Sequence, residues 1–217
     1  MSHPVQMFNI LNMCSDLTRR ARILQSAIAL VARSGRPALT ARAVAAEAGV
    51  SPASVIHHYE SMAGLLRACD VTVTGHIRAE KMRATSEGMD LDLMGSLTGL
   101  SDLPLAGYLA ASLGSDSQAV ADLVDELVTD ALANLTEGER NGVIRPSIDA
   151  RARAVVLTLT SLGALVMHRH LNRLLDIDLL ASPPEPEELA RYVRPVWETY
   201  EHGLFTDTPN VDIPQHE

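Results

Sequence analysis

The sequence predicts an all-α protein, with an N-terminal three-helix helix-turn-helix domain followed by a C-terminal helical bundle. Three observations predict it. Apolar residues recur at spacings of three and four through most of the chain, the period of a helix with one buried face. Hydrophobic residues make up 47% of the 217 positions but aromatics only 3%, with Ala and Leu dominating where strands would want Val, Ile and Tyr. Finally, residues 39–59, LTARAVAAEAGVSPASVIHHY, read as two short helices joined by a tight turn.

Each element follows from its own residues. Leu17, Leu24, Ala27, Ile28 and Val31 form the apolar stripe of a first helix that ends at Gly35. Thr40 then serves as N-cap of the second helix, with Leu39 and Val44 spaced as a hydrophobic staple. Gly49 closes that helix, because glycine enters the left-handed conformation without a Cβ penalty. Ser51-Pro52 restarts the chain as N-cap and first helical residue. Ala45 is small enough for a close crossing, and Val44, Ala48, Val50 and Val55 close a miniature core that leaves Ser54, His57 and His58 outside. Ser61 caps a fourth helix carrying Leu65, Leu66, Cys69, Val73 and Ile77.

The second half is less regular. Residues 87–100 (EGMDLDLMGSLTGL) are glycine-rich and poorly periodic, and read as a linker. Asp102-Leu103-Pro104 starts a helix through Leu113, closed by Gly114. The next runs from Asp116 to Leu135 with Val120, Leu123, Leu127, Val128 and Ala131 inside, and GERNGVIRPS reads as the turn after it. Asp149 caps a long helix expected to continue to about Leu175. After the acidic linker ASPPEPEE, the last helix carries Leu189, Tyr192, Val193, Val196, Trp197, Tyr200 and Leu204, with Pro195 expected to bend it. The chain thus divides at 14–60 (helix-turn-helix), 61–86 (connecting helix), 87–205 (bundle) and 206–217 (tail).

Composition bounds the function. The longest apolar run, residues 154–167, is 14 residues with a glycine and several hydroxyls, short of the ~20 that a membrane span needs. The N-terminus, MSHPVQMF, lacks the basic-then-apolar pattern of an export signal, and the two cysteines, Cys14 and Cys69, suit a reducing cytoplasm. Net charge is −9, yet residues 16–85 hold ten Arg/Lys against five Asp/Glu, while the remainder holds eight against 22. A basic head on an acidic body orients a protein on DNA, and Arg19, Arg20, Arg36 and Arg42 are expected near the phosphates.

At this point the chain resembles the TetR family of one-component transcriptional repressors. The resemblance rests on RILQSAIALVARSG, LTARAVAAEAGVS and ASVIHHYES followed by LL; it covers residues 16–80 by motif and the rest in architecture. His58 and Tyr59 fit the family's usual His-Phe pair. Two positions depart from the pattern: Ile56 stands where the family usually has a tyrosine, and Met62 where it usually has a lysine. Both family residues commonly touch DNA phosphates, so two backbone anchors are missing.

A helix-turn-helix presents the start of its second helix to the base edges of double-stranded DNA, and a palindromic operator calls for a dimer. The candidate DNA contacts are therefore Ala53 and Ser54 in the opening turn and His57 one turn on, with His58 toward the backbone and Thr40, Arg42 and Ser51 around them. The resemblance implies a homodimer through the last two long helices, with Leu159, Gly163, Val166, Tyr192, Val196, Trp197 and Tyr200 at the interface; an ordinary monomeric core is the alternative. It also implies a small-molecule effector site inside the bundle, lined by Met94, Leu97, Leu105, Tyr108, Leu109, Leu127, Met167 and His170. Plain core packing is the competing reading for the aliphatics, while Tyr108 and His170 would each want a polar partner if buried. An effector that is largely apolar suits such a lining.

No cofactor, metal or catalytic site is expected. The sequence has no G-x-S-x-G, P-loop, G-x-G-x-x-G or H-E-x-x-H. His168 and His170 point to different faces of a helix, and Cys69 with His76 is a pair without further ligands. Besides the regulator, two readings stay open: a binding module of this fold that has lost operator binding, motivated by Ile56 and Met62, and an all-helical enzyme.

Overall fold

The computed structural model describes residues 4–86, 104–180 and 186–202, and the regular structure among them is helical. Helix α1 (Pro4–Ser34) leads into a 3-10 turn (Arg36–Ala38), followed by α2 (Ala41–Ala48) and α3 (Pro52–Tyr59). The expected caps are in place. Thr40 Oγ1 accepts from the Ala43 N–H at 3.2 Å, Ser51 Oγ accepts from the Ser54 N–H at 3.2 Å, and Gly49 is left-handed at φ 64°. Val44, Ala45, Ala48 and Val55 are buried behind the turn.

The turn between α3 and α4 (Met62–Ser86) is tighter than its sequence suggests. Glu60 takes a positive φ of 65°, and the Ser61 N–H bonds back to the Tyr59 carbonyl at 2.7 Å. Ser61 Oγ caps α4 by accepting from the Gly64 N–H at 3.0 Å. A Cβ on Gly64 would lie 2.2 Å from the Tyr59 carbonyl oxygen, so only glycine fits there.

The bundle follows as α5 (Leu105–Ser112), α6 (Gln118–Arg140), α7 (Ala150–Val166), α8 (His168–Leu175) and α9 (Pro186–His202). The expected linker at 87–100, Leu204 and the tail from 206 lie outside the described residues. Two boundaries differ from the sequence reading. Helix α6 continues through Gly138 to Arg140, where the sequence predicts a turn. Gly138 is a docking point: the Val143 and Ile144 N–H groups both bond its carbonyl, and a Cβ there would meet Ile144 Cδ1 at 2.6 Å. The other difference is at Met167, where the single long helix expected from Asp149 is instead two, bent by 70°. His168 Nδ1 bonds the Leu165 carbonyl at 2.9 Å, an acceptor that a straight helix would offer to the residue 169 N–H. Asp176 ends α8 in a left-handed conformation (φ 53°), and Ile177 and Leu179 after it are buried.

One hydrophobic core runs from Ile23 in α1 to Leu165 in α7, through the helix-turn-helix and the bundle alike. Helix α5 sits at its centre, with Leu105, Ala106, Gly107, Tyr108, Leu109 and Ser112 all buried. Its closest neighbour is α1: a Cβ on Gly107 would meet Ala32 Cβ at 3.2 Å, so glycine sets the distance between the two backbones. Among the described residues no single helix is long and apolar enough to cross a membrane.

Candidate nucleic-acid interface

Helix α3 is anchored by two residues and open elsewhere. Val55 and Tyr59 are buried, one turn apart on the inner face. The Tyr59 hydroxyl donates to the Arg20 carbonyl of α1 at 2.8 Å, and the Arg20 guanidinium lies 5.2 Å over its ring. Burial raises the Tyr59 phenol above its usual range, so it stays a donor. The outer face carries Ala53, Ile56 and His57, all exposed, with Ser54 and His58 half-buried beside them. The two imidazoles meet edge to face at 5.5 Å. Thr40, Arg42 and Ser51, at the starts of the motif's two helices, are exposed. Both cap hydroxyls accept within the chain yet keep their hydrogens to donate outward.

The basic excess of this region is partly spent internally. Arg33 makes a two-bond contact with Glu47, at 2.8 and 3.3 Å, joining α1 to α2. Arg78 bonds Glu126 at 2.7 Å and Lys81 pairs with Asp130, joining α4 to α6. Arg36 is the clear correction. The charge pattern assigns it to DNA phosphates, but it forks onto Asp70, Nη1 to Oδ1 at 2.9 Å and Nη2 to Oδ2 at 3.2 Å. Asp70 is 2% exposed, and its Oδ1 also accepts from the Tyr108 hydroxyl at 2.7 Å. Burial first, then donation to Asp70, pushes the Tyr108 phenol well above the ordinary tyrosine range. Burial also pushes the neighbouring Cys69 thiol up to about 12, which leaves it protonated and unreactive.

The two departures from the family pattern have different surroundings. Ile56 is 39% exposed on the outer face of α3, whereas Met62 is half-buried and packed against the core. Met62 thus contributes a packing contact from the position where a lysine would reach outward.

The residues proposed to line an effector site divide. Leu105, Tyr108, Leu109 and Leu127 are buried together in the shared core. Met167 and His170, on either side of the start of α8 after the 70° bend, are exposed, and the expectation of a buried imidazole at His170 is corrected accordingly. Met94 and Leu97 lie outside the described residues. Sequence reading missed Ser112, whose Oγ is fully buried and has no hydrogen-bond partner among the described residues. It lies one turn beyond Tyr108 on the same face of α5, a spacing that could have singled it out.

The residues expected at a dimer interface remain largely uncovered in the single chain. Leu159, Val166, Trp197 and Tyr200 are exposed, Trp197 to 64%, and Tyr192 and Val196 are half-buried. Trp197 and Tyr200 stack edge to face at 6.5 Å. A Cβ on Gly163 would meet nothing within 4 Å. Among the described residues no three His, Cys, Asp or Glu side chains converge as a metal site would require.

Comparison with known proteins identifies the family. Residues 23–69 match the family model described as bacterial regulatory proteins, tetR family, and residues 101–206 match the tetracyclin repressor-like C-terminal domain. The HTH-type transcriptional regulatory protein RaaS of Mycobacterium tuberculosis is 34% identical over 199 residues, spanning 89% of this chain and 90% of that protein. A solved TetR-family transcriptional regulator from Rhodococcus sp. aligns over 69% of this chain and 86% of its own, at 24% identity and a TM-score of 0.47. A TetR-family member from Streptomyces coelicolor A3 aligns over 81% and 95%, at 26% identity and a TM-score of 0.33. With the helix-turn-helix and the C-terminal domain both matched, this chain belongs to the TetR family of transcriptional regulators, which bind DNA and are not enzymes.

Proposed function

We propose that this regulator is a homodimeric, effector-responsive repressor that binds a palindromic operator through the outer face of α3 and works in the cytoplasm. The observation that carries the proposal is the division of α3: Val55 and Tyr59 lock it to the core, while Ala53, Ser54 and His57 are left for base edges. Ala53 suits a thymine methyl, Ser54 can donate or accept, and His57 can donate to a base or a phosphate. The test is DNA selection from a random duplex pool with the full-length protein, followed by titration of the selected site at several salt concentrations. Ser54→Ala and His57→Ala are expected to weaken that site by about 10-fold or more, in the range of one lost base contact, with melting temperature unchanged. Affinity should fall steeply with salt as phosphate contacts release counterions. A selected complex insensitive to salt and to both substitutions would remove α3 as the reading helix.

Dimerisation is supported by the uncovered apolar residues of α7 and α9. An exposed tryptophan and tyrosine in contact, with Leu159 and Val166 also exposed and open space at Gly163, suit a helical face completed by its copy. Trp197→Ala is expected to weaken self-association by roughly 2 kcal/mol, about 30-fold in the dimer dissociation constant, measured by sedimentation. A wild type that sediments as a monomer at micromolar concentration refutes the interface. An effector inside the bundle would meet the apolar residues Leu105, Leu109 and Leu127, with the unspent Ser112 hydroxyl as a polar handle.

A second reading, a module of this fold without operator binding, is favoured by Ile56 and Met62. Met62→Lys separates the two within the same DNA selection. It is expected to strengthen binding to all sequences and raise the salt slope by about one. If neither wild type nor Met62→Lys selects any DNA, the module reading takes over.

A further inference from the structure

We propose that Asp70 is a positioning residue for DNA reading: it joins the turn that carries the helix-turn-helix to the central helix of the bundle, through Arg36 on one side and Tyr108 on the other. The inference rests on α3 being the DNA-reading helix and adds how its placement is held.

Three separate segments meet at one carboxylate. Arg36 opens the 3-10 turn ahead of α2, Asp70 lies in α4, and Tyr108 lies in α5, 34 and 38 residues from Asp70 in sequence. The guanidinium fork fixes both the distance and the plane of Arg36, since two parallel bonds at 2.9 and 3.2 Å leave it no rotation. Tyr108 bonds the same Oδ1 at 2.7 Å, so the position of α5 bears directly on the oxygen that holds Arg36. One turn earlier, on α1, Ala32 packs against Gly107 of α5. Helix α5 therefore grips the chain at residue 32 by contact and at residue 36 through Asp70, just before Thr40 caps α2.

A purely structural staple would not need this chemistry. Burying a carboxylate and a guanidinium costs desolvation free energy that an apolar trio of similar volume would avoid, and a buried ion pair commonly adds little net stability over such a trio. What the charged arrangement adds is a single geometry. One edge of it borders a cleft of about 510 Å³ between α4 and the start of α6, lined in part by Arg36, Arg67, Asp70 and Ser117. A displacement of α5 that withdraws the Tyr108 hydroxyl leaves Oδ1 one bond short and loosens the turn in front of the DNA-reading pair.

The experiment uses the full-length protein as wild type, Tyr108→Phe, Arg36→Met and the double variant. Tyr108→Phe removes one hydroxyl and keeps the ring. Amide hydrogen exchange is followed by mass spectrometry, and affinity is measured for a DNA site selected by the wild type. In Tyr108→Phe, exchange over residues 36–49 is expected to rise about threefold or more with α6 and α7 unchanged. DNA affinity should fall by a similar factor with an unchanged salt slope, because the contacts to DNA are the same. The double variant should lose little beyond Arg36→Met alone, as expected for two residues acting through one carboxylate. Wild-type exchange over residues 36–49 in Tyr108→Phe overturns the proposal, as does an equal rise throughout α6 and α7, or full additivity. A wild type that selects no DNA refutes the operator-binding proposal instead, and with it the DNA-reading part of this one, while the exchange and additivity measurements still decide whether Asp70 couples the turn before α2 to α5.

Discussion

Asp70→Ala is expected to cost about 3 kcal/mol of folding stability, the low end of what removing one partner of a buried ion pair costs. The substitution leaves Arg36 without its counter-charge and the Tyr108 hydroxyl without its acceptor, inside a core that offers no replacement among their present partners. The low end is chosen because the Arg36 side chain keeps 18% exposure and can recover some hydration. For a chain of this length the loss corresponds to a drop in melting temperature of about 10 °C. Urea denaturation of wild type, Asp70→Ala and Asp70→Asn measures it. Asn keeps an acceptor for Tyr108 and restores only part of the loss, since the cation remains unneutralised. A penalty below about 1 kcal/mol for Asp70→Ala would mean that Arg36 is already solvated in the native protein.

Gly64→Ala should be comparably damaging, by about 3 kcal/mol, the upper end for an overpacked site. The added methyl would sit 2.2 Å from the Tyr59 carbonyl, and a backbone atom cannot rotate away as a side chain can. The adjustment falls on the link between α3 and α4, so DNA binding should decline with stability. Gly75, in the same helix, has open space where a methyl would project, with nothing within 4 Å, and Gly75→Ala is expected to stabilise by up to about 1 kcal/mol. Thermal melts of the two variants give opposite signs if the local geometry is right. A neutral Gly64→Ala would show that the turn relaxes freely.

What the sequence reveals and what it conceals follow from range. Thr40, Gly49, Ser51 and Asp149 are readable because capping acts over three or four residues, and all four cap as expected. The apolar stripe of α1 is readable in part for the same reason: Ala27, Ile28 and Val31 are buried as expected and Leu24 is half-buried, while the fully buried Ile23 stands outside that stripe. Gly64 looks like any helical glycine, since the carbonyl it accommodates depends on the unusual φ of Glu60. Gly138 reads as part of a turn because its reason for being small is the side chain of Ile144, which folds back onto it. The break at Met167 has neither proline nor glycine to announce it, and His170 beyond it is exposed. Arg36 counts as a free positive charge in the sequence because its partner lies 34 residues away, beyond any local pattern. The division of α3 into a buried anchor and an exposed outer face is legible, but the tie from Tyr59 to a backbone carbonyl of α1 is not.

The contact between Gly107 and Ala32, within a core shared by head and body, bears on how such regulators can be recombined. A chimaera that joins this C-terminal body to another helix-turn-helix head at the residue 60/61 junction would cut through packed surface rather than through a linker. The transplanted head would have to bring an α1 with a small residue facing Gly107 and a cation able to meet Asp70. Heads lacking those two features would mate poorly with this body, however well each half folds in its own parent. Exchange between such regulators is therefore better confined to the outer face of α3, leaving α1, α4 and α5 as one inherited piece.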